Sequence, residues 1–301
     1  MFKPVISLLL ILLPYTLVAR HTDLRKQLQQ FVEGRDMLIG VAVIRNGVDT
    51  LTINNNDRYP LMSVVKLHQA MAVAHHFDRE NLPLDTKIYI SKKELHPDTY
   101  SPLRDKYPQG GVYLSLAELL TFTLQWSDNN ACDVLFRHTG GPAATDRYVR
   151  SLGISDFAIK VTEDEMHKDL NTCYDNWSTP LAAAQTVELL VGTDLIPSPF
   201  REFIRQTLVS CETGKDRLPR PLLGTNAIVG HKTGTGDRNT DGKIIGVNDV
   251  GFVVLPDGSR YTIAVFIRDS GESLQTTSQI IGDISQIVHT YFSNEKQYNT
   301  L

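Results

Sequence analysis

Apolar side chains recur along the chain at two spacings, one typical of helices and one typical of strands. Near the N-terminus a set one helical turn apart predicts a helix over residues 22–33, and it comprises Leu24, Leu28, Phe31 and Val32. Residues 37–45 (MLIGVAVIR) form a β-branched apolar run that predicts a buried strand. Asn46-Gly47 then favours a hairpin turn into a second strand over residues 50–54.

The middle of the chain, residues 63–208, has a mostly helical pattern interrupted by predicted loops at 91–112 and 160–180. Within this block, helices are predicted over residues 115–125, 131–138 and 180–191. The first of them opens with Ser115 and Glu118, which stand at the spacing of a capping box.

The C-terminal part returns to strands. Residues 244–255 and 260–268 are apolar runs joined by the turn sequence Pro256-Asp257-Gly258-Ser259, so they predict a hairpin. Residues 274–292 carry apolar side chains on one side and predict a closing helix.

Strands at both ends and helices between them predict an α/β (α+β) architecture of two lobes. The terminal strands would pair in one antiparallel sheet covered by the first and last helices, and the middle would form an inserted all-helical lobe. The predicted boundaries are 20–60 and 213–301 for the α/β lobe and 61–212 for the helical lobe. A cleft between lobes is the default place for a site.

Composition narrows the functional classes. The chain has 301 residues, 42% of them apolar and 21% charged, which excludes wholesale disorder. Its formal net charge of −4 argues against nucleic-acid binding, which usually needs a basic excess. Three cysteines exclude a disulfide-stapled scaffold, allow at most one bridge and leave at least one thiol free; they are Cys132, Cys173 and Cys211. We expect Cys132 and Cys211 to be buried thiols.

The first residues predict export. Lys3 precedes a nearly apolar run at residues 5–18 that is too short and broken for a membrane span and ends at the small residue Ala19. We interpret residues 1–19 as a secretory signal peptide, with an uncleaved anchor as the alternative. The predicted compartment is the periplasm.

Three short motifs could carry chemistry. Ser63-Val64-Val65-Lys66 puts an amine and a hydroxyl on one face of a predicted helix, where the amine could activate the hydroxyl as a nucleophile. Alone, this pattern is more often a capping serine and a solvated lysine. Ser127-Asp128-Asn129 follows a predicted helix, and Lys232-Thr233-Gly234 lies on a predicted strand. Together, in this order, the motifs are the signature of the penicillin-recognising serine acyl enzymes.

With these motifs the chain resembles the class A serine β-lactamases over almost its whole mature length. It is most similar to the branch that contains extended-spectrum enzymes and cephalosporinases of Gram-negative bacteria. Tyr100-Ser101-Pro102 resembles the family's tyrosine motif at the cleft rim, and Thr235-Gly236 continues the lysine strand.

The resemblance also implies an Ω-loop at about residues 160–180. Counting back from Asn176-Trp177-Ser178-Thr179-Pro180 selects Glu163 as the deacylation base, with His167 in the place of the family's asparagine. Asp164 and Glu165 are the neighbouring alternatives. Leu170-Asn171 fits the family pattern poorly because it would demand an acid at His167.

Several positions depart from the family pattern. The Arg–Asp pair that closes the neck of the Ω-loop is replaced by Val161 and Asn176, so the loop is either held differently or looser. The basic residue usual on the strand beside Lys232 is replaced by Asn248. Arg217 resembles an arginine that some members supply instead, and Arg220 is the alternative.

The implied reaction is hydrolysis of a β-lactam amide through a serine acyl-enzyme. The implied catalytic residues are Ser63, Lys66, Ser127, Glu163 and Lys232. The implied substrate-binding residues are Tyr100, Asn129, His167, Arg217, Thr233, Gly234, Thr235 and Gly236. Whether Lys66 or Glu163 takes the proton of Ser63 stays open.

The resemblance implies no metal and no organic cofactor. The expected partners are small β-lactams, with no nucleic acid and no stable membrane insertion after signal cleavage, and we expect a monomer. Two rival functions share the motifs: a DD-peptidase, and a β-lactam sensor that stays acylated.

Overall fold

A computed structural model of the protein describes the backbone of residues 23–299 and the side chains of residues 23–294. The predicted signal peptide at residues 1–19 lies outside the described residues. The helices are α1 (23–32), α2 (Val65–Arg79), α3 (Pro102–Lys106), α4 (Leu116–Gln125), α5 (Asn129–His138), α6 (Gly141–Ser151), α7 (Glu163–Lys168), α8 (Pro180–Gly192), α9 (Ser198–Val209) and α10 (Leu274–Asn299). The strands are β1 (Leu38–Arg45), β2 (Asp49–Ile53), β3 (Tyr59–Pro60), β4 (Lys87–Ile90), β5 (Val112–Ser115), β6 (Phe157–Ala158), β7 (Trp177–Ser178), β8 (Ile228–Thr235), β9 (Ile244–Val254) and β10 (Arg260–Ser270).

The main sheet has five antiparallel strands in the order β2-β1-β10-β9-β8. The two predicted hairpins are present, and β1 also pairs with β10, where Val41 lies opposite Val265. The prediction that strands from both ends of the chain share one sheet is therefore confirmed. Strand β8 forms one edge, and its Gly234 lies opposite Asn248 of β9.

The two faces of the sheet are covered by different helices. On one face Val43 and Val265 join a core cluster with Leu28 of α1 and Ile281 of α10. On the other face the sheet packs against the central helices, and α8 contacts β1, β9 and β10. At its edge the sheet also contacts the central block, because β8 packs against α9 and against residues Met62–Val64.

The central block is not all helical. Strands β4 and β5 pair with each other, and β3, β7 and β6 form a three-stranded sheet. The predicted loops also contain α3 and α7, each only a few residues long. Elements of this length have too few side chains to show a period, so the sequence pattern missed them. The two-lobe fold itself is confirmed, and the lobe boundaries at 60/61 and 212/213 stay a prediction.

The three cysteines are free and buried. This confirms the prediction of buried thiols at Cys132 and Cys211. In the described part of the chain, no helix is both long and apolar enough to cross a membrane.

Candidate active site

Ser63 lies at the start of the helix that carries Lys66. A short turn of 3-10 helix, Met62–Val64, runs directly into α2, so one helical turn separates the two side chains. Lys66 Nζ donates to Ser63 Oγ at 2.8 Å, and the Lys66 side chain is fully buried. The geometry allows the amine to take the proton of the hydroxyl.

Lys66 is surrounded by oxygen. Besides Ser63, its Nζ lies 2.9 Å from the Ser127 carbonyl and 2.6 Å from Asn129 Oδ1. The carboxylate of Glu163 completes the shell, with Oε1 at 2.9 Å from the same nitrogen. The structure thus brings four sequence-predicted residues to one amine.

A second buried amine serves Ser127. Lys232 Nζ donates to Ser127 Oγ at 2.9 Å and to the Thr233 carbonyl at 2.9 Å. Burial, and then repulsion by Lys66, lowers the pKa of Lys232 to about 7. Ser127 has a left-handed backbone, with φ of 60°, an uncommon conformation for a residue other than glycine. Such strain is typical of side chains held in place for function.

The side chain of Asp128 fixes the turn that contains Ser127. It caps α5 by accepting the Ala131 N–H at 2.8 Å, and it also accepts the Leu103 N–H at 2.6 Å and the Ser101 hydroxyl at 2.9 Å. Burial raises the pKa of Asp128, opposed by these hydrogen bonds. Asp128 therefore ties the Tyr100-Ser101 segment to the turn of Ser127.

Tyr100 and Asn129 meet through the backbone. The Asn129 N–H donates to the Tyr100 carbonyl at 3.1 Å, while the Tyr100 ring is exposed. The side chain of Asn129 also donates to Thr99 Oγ1 at 2.7 Å. Thr99 was not predicted as part of the site.

Glu163 begins α7, and a residue that the sequence analysis missed fixes its backbone. The two oxygens of Asp133 accept the N–H groups of Glu163 and Asp164, each at 2.9 Å. Burial, and then the charge of Glu163, raises the pKa of Asp133 to about 7. The available signal was the spacing of Asn129 and Asp133, which places both on one face of α5.

The neighbours of Glu163 point elsewhere. Glu165 folds back on Thr162 in a capping box, and Asp164 pairs with Lys168 at 2.5 Å. His167 is exposed but lines the same cleft as Glu163.

The neck of the segment predicted to be the Ω-loop, residues 160–180, is held without charge. The buried amide of Asn176 accepts the N–H groups of Lys160 at 2.7 Å and Val161 at 3.1 Å. It donates to the Val161 carbonyl at 2.9 Å, and its own backbone carbonyl accepts the Leu61 N–H at 2.7 Å. The sequence left open whether this loop is looser or is held by other contacts than an ion pair. The hydrogen bonds of Asn176 show that it is held by other contacts.

The β8 edge supplies the opposite wall. A Cβ on Gly234 would lie 2.7 Å from the Leu61 carbonyl, so only glycine allows the strand to approach this closely. Gly236 N–H donates to the Gly246 carbonyl at 2.8 Å and extends the strand pairing. Thr235 remains exposed at its end, facing the cleft.

The side chain of Arg217 contacts the end of β8. Its guanidinium donates to Thr235 Oγ1 at 2.7 Å and to the carbonyls of Gly234 at 3.0 Å and Asn248 at 2.9 Å. Burial lowers the pKa of Arg217. Arg220 instead pairs with Asp283 at 2.5 Å. Of the two candidates, only Arg217 contacts the β8 edge.

These walls enclose a narrow cleft. It is lined by residues of the Met62–Val64 turn, of α5, of the predicted Ω-loop and of the end of β8 with the two residues after it, namely Met62, Ser63, Asn129, Glu163, Met166, His167, Leu170, Cys173, Thr235, Gly236 and Asp237. Within residues 23–294 there is no group of three or more His, Cys, Asp or Glu side chains that could hold a metal ion.

Comparison with known proteins adds the following. Residues 23–292 match the model of the β-lactamase enzyme family. A β-lactamase of Bacteroides uniformis is 37% identical over 269 residues, which cover 89% of this chain and 90% of that protein. The crystal structure of the TLA-1 extended-spectrum β-lactamase is 37% identical, with a TM-score of 0.87 and coverage of 90% of this chain and 99% of that one. A class A β-lactamase from Bacteroides cellulosilyticus has the same identity and TM-score and covers 91% of this chain and 99% of that one.

Proposed function

The chain belongs to the class A β-lactamases, and from this premise we propose that it hydrolyses β-lactam amides through an acyl-enzyme on Ser63. The observation that carries the proposal is the contact of Ser63 Oγ with Lys66 Nζ at 2.8 Å, while Glu163 Oε1 lies 2.9 Å from the same nitrogen. The amine can take the proton of Ser63, so that the serine is acylated. The carboxylate beside the same amine can then activate the water molecule that hydrolyses the acyl-enzyme.

In the acylation step Ser63 Oγ attacks the lactam carbonyl. Its proton passes to Lys66, or through a water molecule to Glu163, and both groups lie on the route. The oxyanion that forms would be held by the backbone N–H groups of Ser63 and Thr235, each worth about 3 kcal/mol of barrier.

Opening the ring requires a proton on its nitrogen. Ser127 can supply this proton because its hydroxyl contacts Lys232 Nζ at 2.9 Å. A lysine whose pKa is near neutrality can donate a proton and then recover it.

The substrate carboxylate would bind at the β8 edge. Thr233 and Thr235 offer hydroxyl groups there, and Arg217 and Lys232 offer positive charge. Asn129 and Gly236 would hold the acylamide side chain from opposite walls, with Tyr100 at the rim.

Glu163 then activates a water molecule that cleaves the ester. Its side chain is buried and its Oε1 lies 2.9 Å from Lys66 Nζ, and a carboxylate held in this position would accept the proton of the water molecule. His167 stands one helical turn further along α7, at the mouth of the cleft.

For substrate range, we infer a preference for cephalosporins over penicillins, with bulky oxyimino cephalosporins accepted. The neutral neck at Asn176 and the exposed His167 distinguish this Ω-loop from the usual charge-paired form. TLA-1, whose structure is similar, is named an extended-spectrum enzyme. Hydrolysis of these antibiotics would give resistance to them.

The proposal includes the cellular context. Residues 1–19 would be a signal peptide, and the mature enzyme would work in the periplasm as a monomer. The lobes would meet at 60/61 and 212/213, which places Ser63 in the helical lobe and Lys232 in the α/β lobe.

The deciding experiment mixes the purified protein with a chromogenic cephalosporin. Many turnovers per protein are expected, and Ser63→Ala should abolish them while leaving the fold intact by circular dichroism. A single stoichiometric burst would instead identify a DD-peptidase or a covalent sensor, and hydrolysis by Ser63→Ala would overturn the proposal.

A further inference from the structure

Behind the β8 edge, outside the cleft, lies a second cluster of reactive side chains. His231 of β8 bonds through Nδ1 to the carboxylate of Asp249 on β9, at 2.9 Å and 3.0 Å. Cys211 lines the same cavity as this imidazole, and each of the two groups shifts the pKa of the other. Asp249 is in turn fixed by the Leu218 N–H at 3.1 Å. A thiol, an imidazole and a carboxylate thus stand in the order found in cysteine nucleophiles.

The charges of this cluster support one another. Burial alone would raise the pKa of Cys211, but the neighbouring His231, with the charge of Lys232, lowers this pKa below its usual value. Burial alone would lower the pKa of His231, but Asp249 and Cys211 raise it. The pair therefore favours a thiolate beside an imidazolium, the form in which cysteine reacts.

The cluster opens into a cavity of its own. Cys211 and His231 line a space of about 280 Å³ whose other walls are mainly apolar. Leu222, Leu223 and Val229 form part of these walls, and Lys215 lies at the side. A group of a few heavy atoms attached to the sulfur fits in this volume.

A short chain of hydrogen bonds joins the thiol to the active site. Cys211 Sγ lies 3.4 Å from Thr213 Oγ1, which lies 2.6 Å from Thr233 Oγ1. The Thr233 carbonyl accepts from Lys232 Nζ at 2.9 Å. A group added to the sulfur would replace the thiol hydrogen, which can be donated to Thr213, and through Thr213 the loss would disturb Thr233 and Lys232.

We propose that Cys211 is a modification site for small aliphatic disulfides, and that the adduct in this cavity slows the hydrolase. The thiolate attacks one sulfur of the disulfide, a new S–S bond forms, and the old S–S bond breaks. The leaving thiolate takes the proton held by His231 and departs as a free thiol. The effect on turnover rests on the proposed function, whereas the reactivity of the thiol does not.

The test treats the native full-length protein with hydroxyethyl disulfide and locates the adduct by mass spectrometry of peptides. Cys211 should be labelled about tenfold faster than Cys132 and Cys173, because burial raises the pKa of both other thiols. Cys211→Ser should abolish the fast reaction, and Cys173→Ser should keep it. Equal labelling of all three thiols, or labelling only after denaturation, would overturn the site.

Two further measurements test the mechanism and the coupling. His231→Gln should slow labelling of Cys211 and move its pH midpoint upward, and an unchanged pH profile would remove His231 from the mechanism. Labelled enzyme should hydrolyse the chromogenic cephalosporin several-fold more slowly, and dithiothreitol should restore the rate. The turnover rate of Cys211→Ser should not change on treatment with the disulfide. Unchanged turnover at full labelling would refute the coupling. Absence of any turnover before labelling would count against the proposed function alone.

Discussion

The amine of Lys66 has more oxygen neighbours than an ammonium group has protons. Four oxygens lie 2.6 to 2.9 Å from Nζ, and three N–H groups can serve only three of them. Glu163 Oε1 is the buried oxygen left without an aligned hydrogen bond. This surplus acceptor suits a base that must take a proton from elsewhere.

At this residue we expect Glu163→Gln to accumulate acyl-enzyme, because only the deacylating base is lost. Deacylation should fall about 10²–10⁴-fold, the usual contribution of a general base. Mass spectrometry after brief exposure to a cephalosporin would show the adduct. Glu165→Gln, which alters only a capping box, is the matched control; an adduct on it, with normal turnover of Glu163→Gln, would make Glu165 the base.

Arg217→Ala should raise KM for substrates that carry a carboxylate. A charged hydrogen bond is worth about 1.5–3 kcal/mol, which corresponds to roughly a 10- to 150-fold change. The corresponding methyl ester should show little change, which separates binding from general damage to β8. Arg220→Ala is the control, and a larger KM effect there would transfer the role to Arg220.

His68 should make the protein sensitive to acid. It is buried in α2 between Val64 O at 3.3 Å and Thr186 Oγ1 at 3.4 Å, and burial lowers its pKa to about 4. The unfolded chain binds the proton first as the pH falls below 6.5, so stability is lost between pH 6.5 and 4.

The expected loss from this one group is about 2 kcal/mol between pH 7 and pH 5. Urea unfolding of the parent and of His68→Gln at both pH values measures it as a difference, which cancels opposing groups such as Asp133. Equal pH dependence of the two proteins would show that His68 is not the acid-sensitive group.

At the scale of elements, the segment predicted to be the Ω-loop is closed by the side-chain amide of Asn176. Asn176 joins the two ends of the loop through Lys160 and Val161 and leaves neither of its polar atoms unused. A neutral closure of this kind is insensitive to salt, unlike an ion pair.

Asn176→Ala should therefore cost about 2–4 kcal/mol of unfolding free energy, since two backbone N–H groups lose their acceptor in a buried place. It should also slow deacylation, because α7 and Glu163 follow directly on this neck. Asn171→Ala is the control: its exposed amide bonds only within the loop, to Asp169 at 3.0 Å, and should change stability by about 0.5 kcal/mol or less. Equal melting temperatures for the two variants would refute the role of Asn176.

The elements also show what the sequence can and cannot predict. Long periodic segments such as α10, and motifs within one turn such as Ser63 and Lys66, were predicted because their signal is local. The contact of Asp133 with α7 joins residues about 30 positions apart and leaves no local pattern. The neutral neck was predicted only as the absence of a charge pair, since the hydrogen bonds of Asn176 depend on the fold.

At the scale of the whole molecule, the proposed substrate range can be tested on the cleft between β8 and the helical lobe. We expect kcat/KM to be higher for a simple cephalosporin than for a penicillin, and measurable for an oxyimino cephalosporin. The three substrates are compared on one preparation. A strong penicillin preference with negligible oxyimino turnover would contradict the inferred range and leave the hydrolase itself unaffected.

The pairing of β1 with β10 has a consequence for how the chain acquires its structure. Leu38 lies opposite Arg268, so the sheet is closed by contacts between segments more than two hundred residues apart. Such high contact order slows folding, because the entropy of closing a long loop is lost before the contacts between the strands can form. During synthesis the β1–β2 hairpin has no neighbour on its open side until Arg260–Ser270 has been made. The five-stranded sheet therefore cannot be completed until nearly the whole chain has been synthesised.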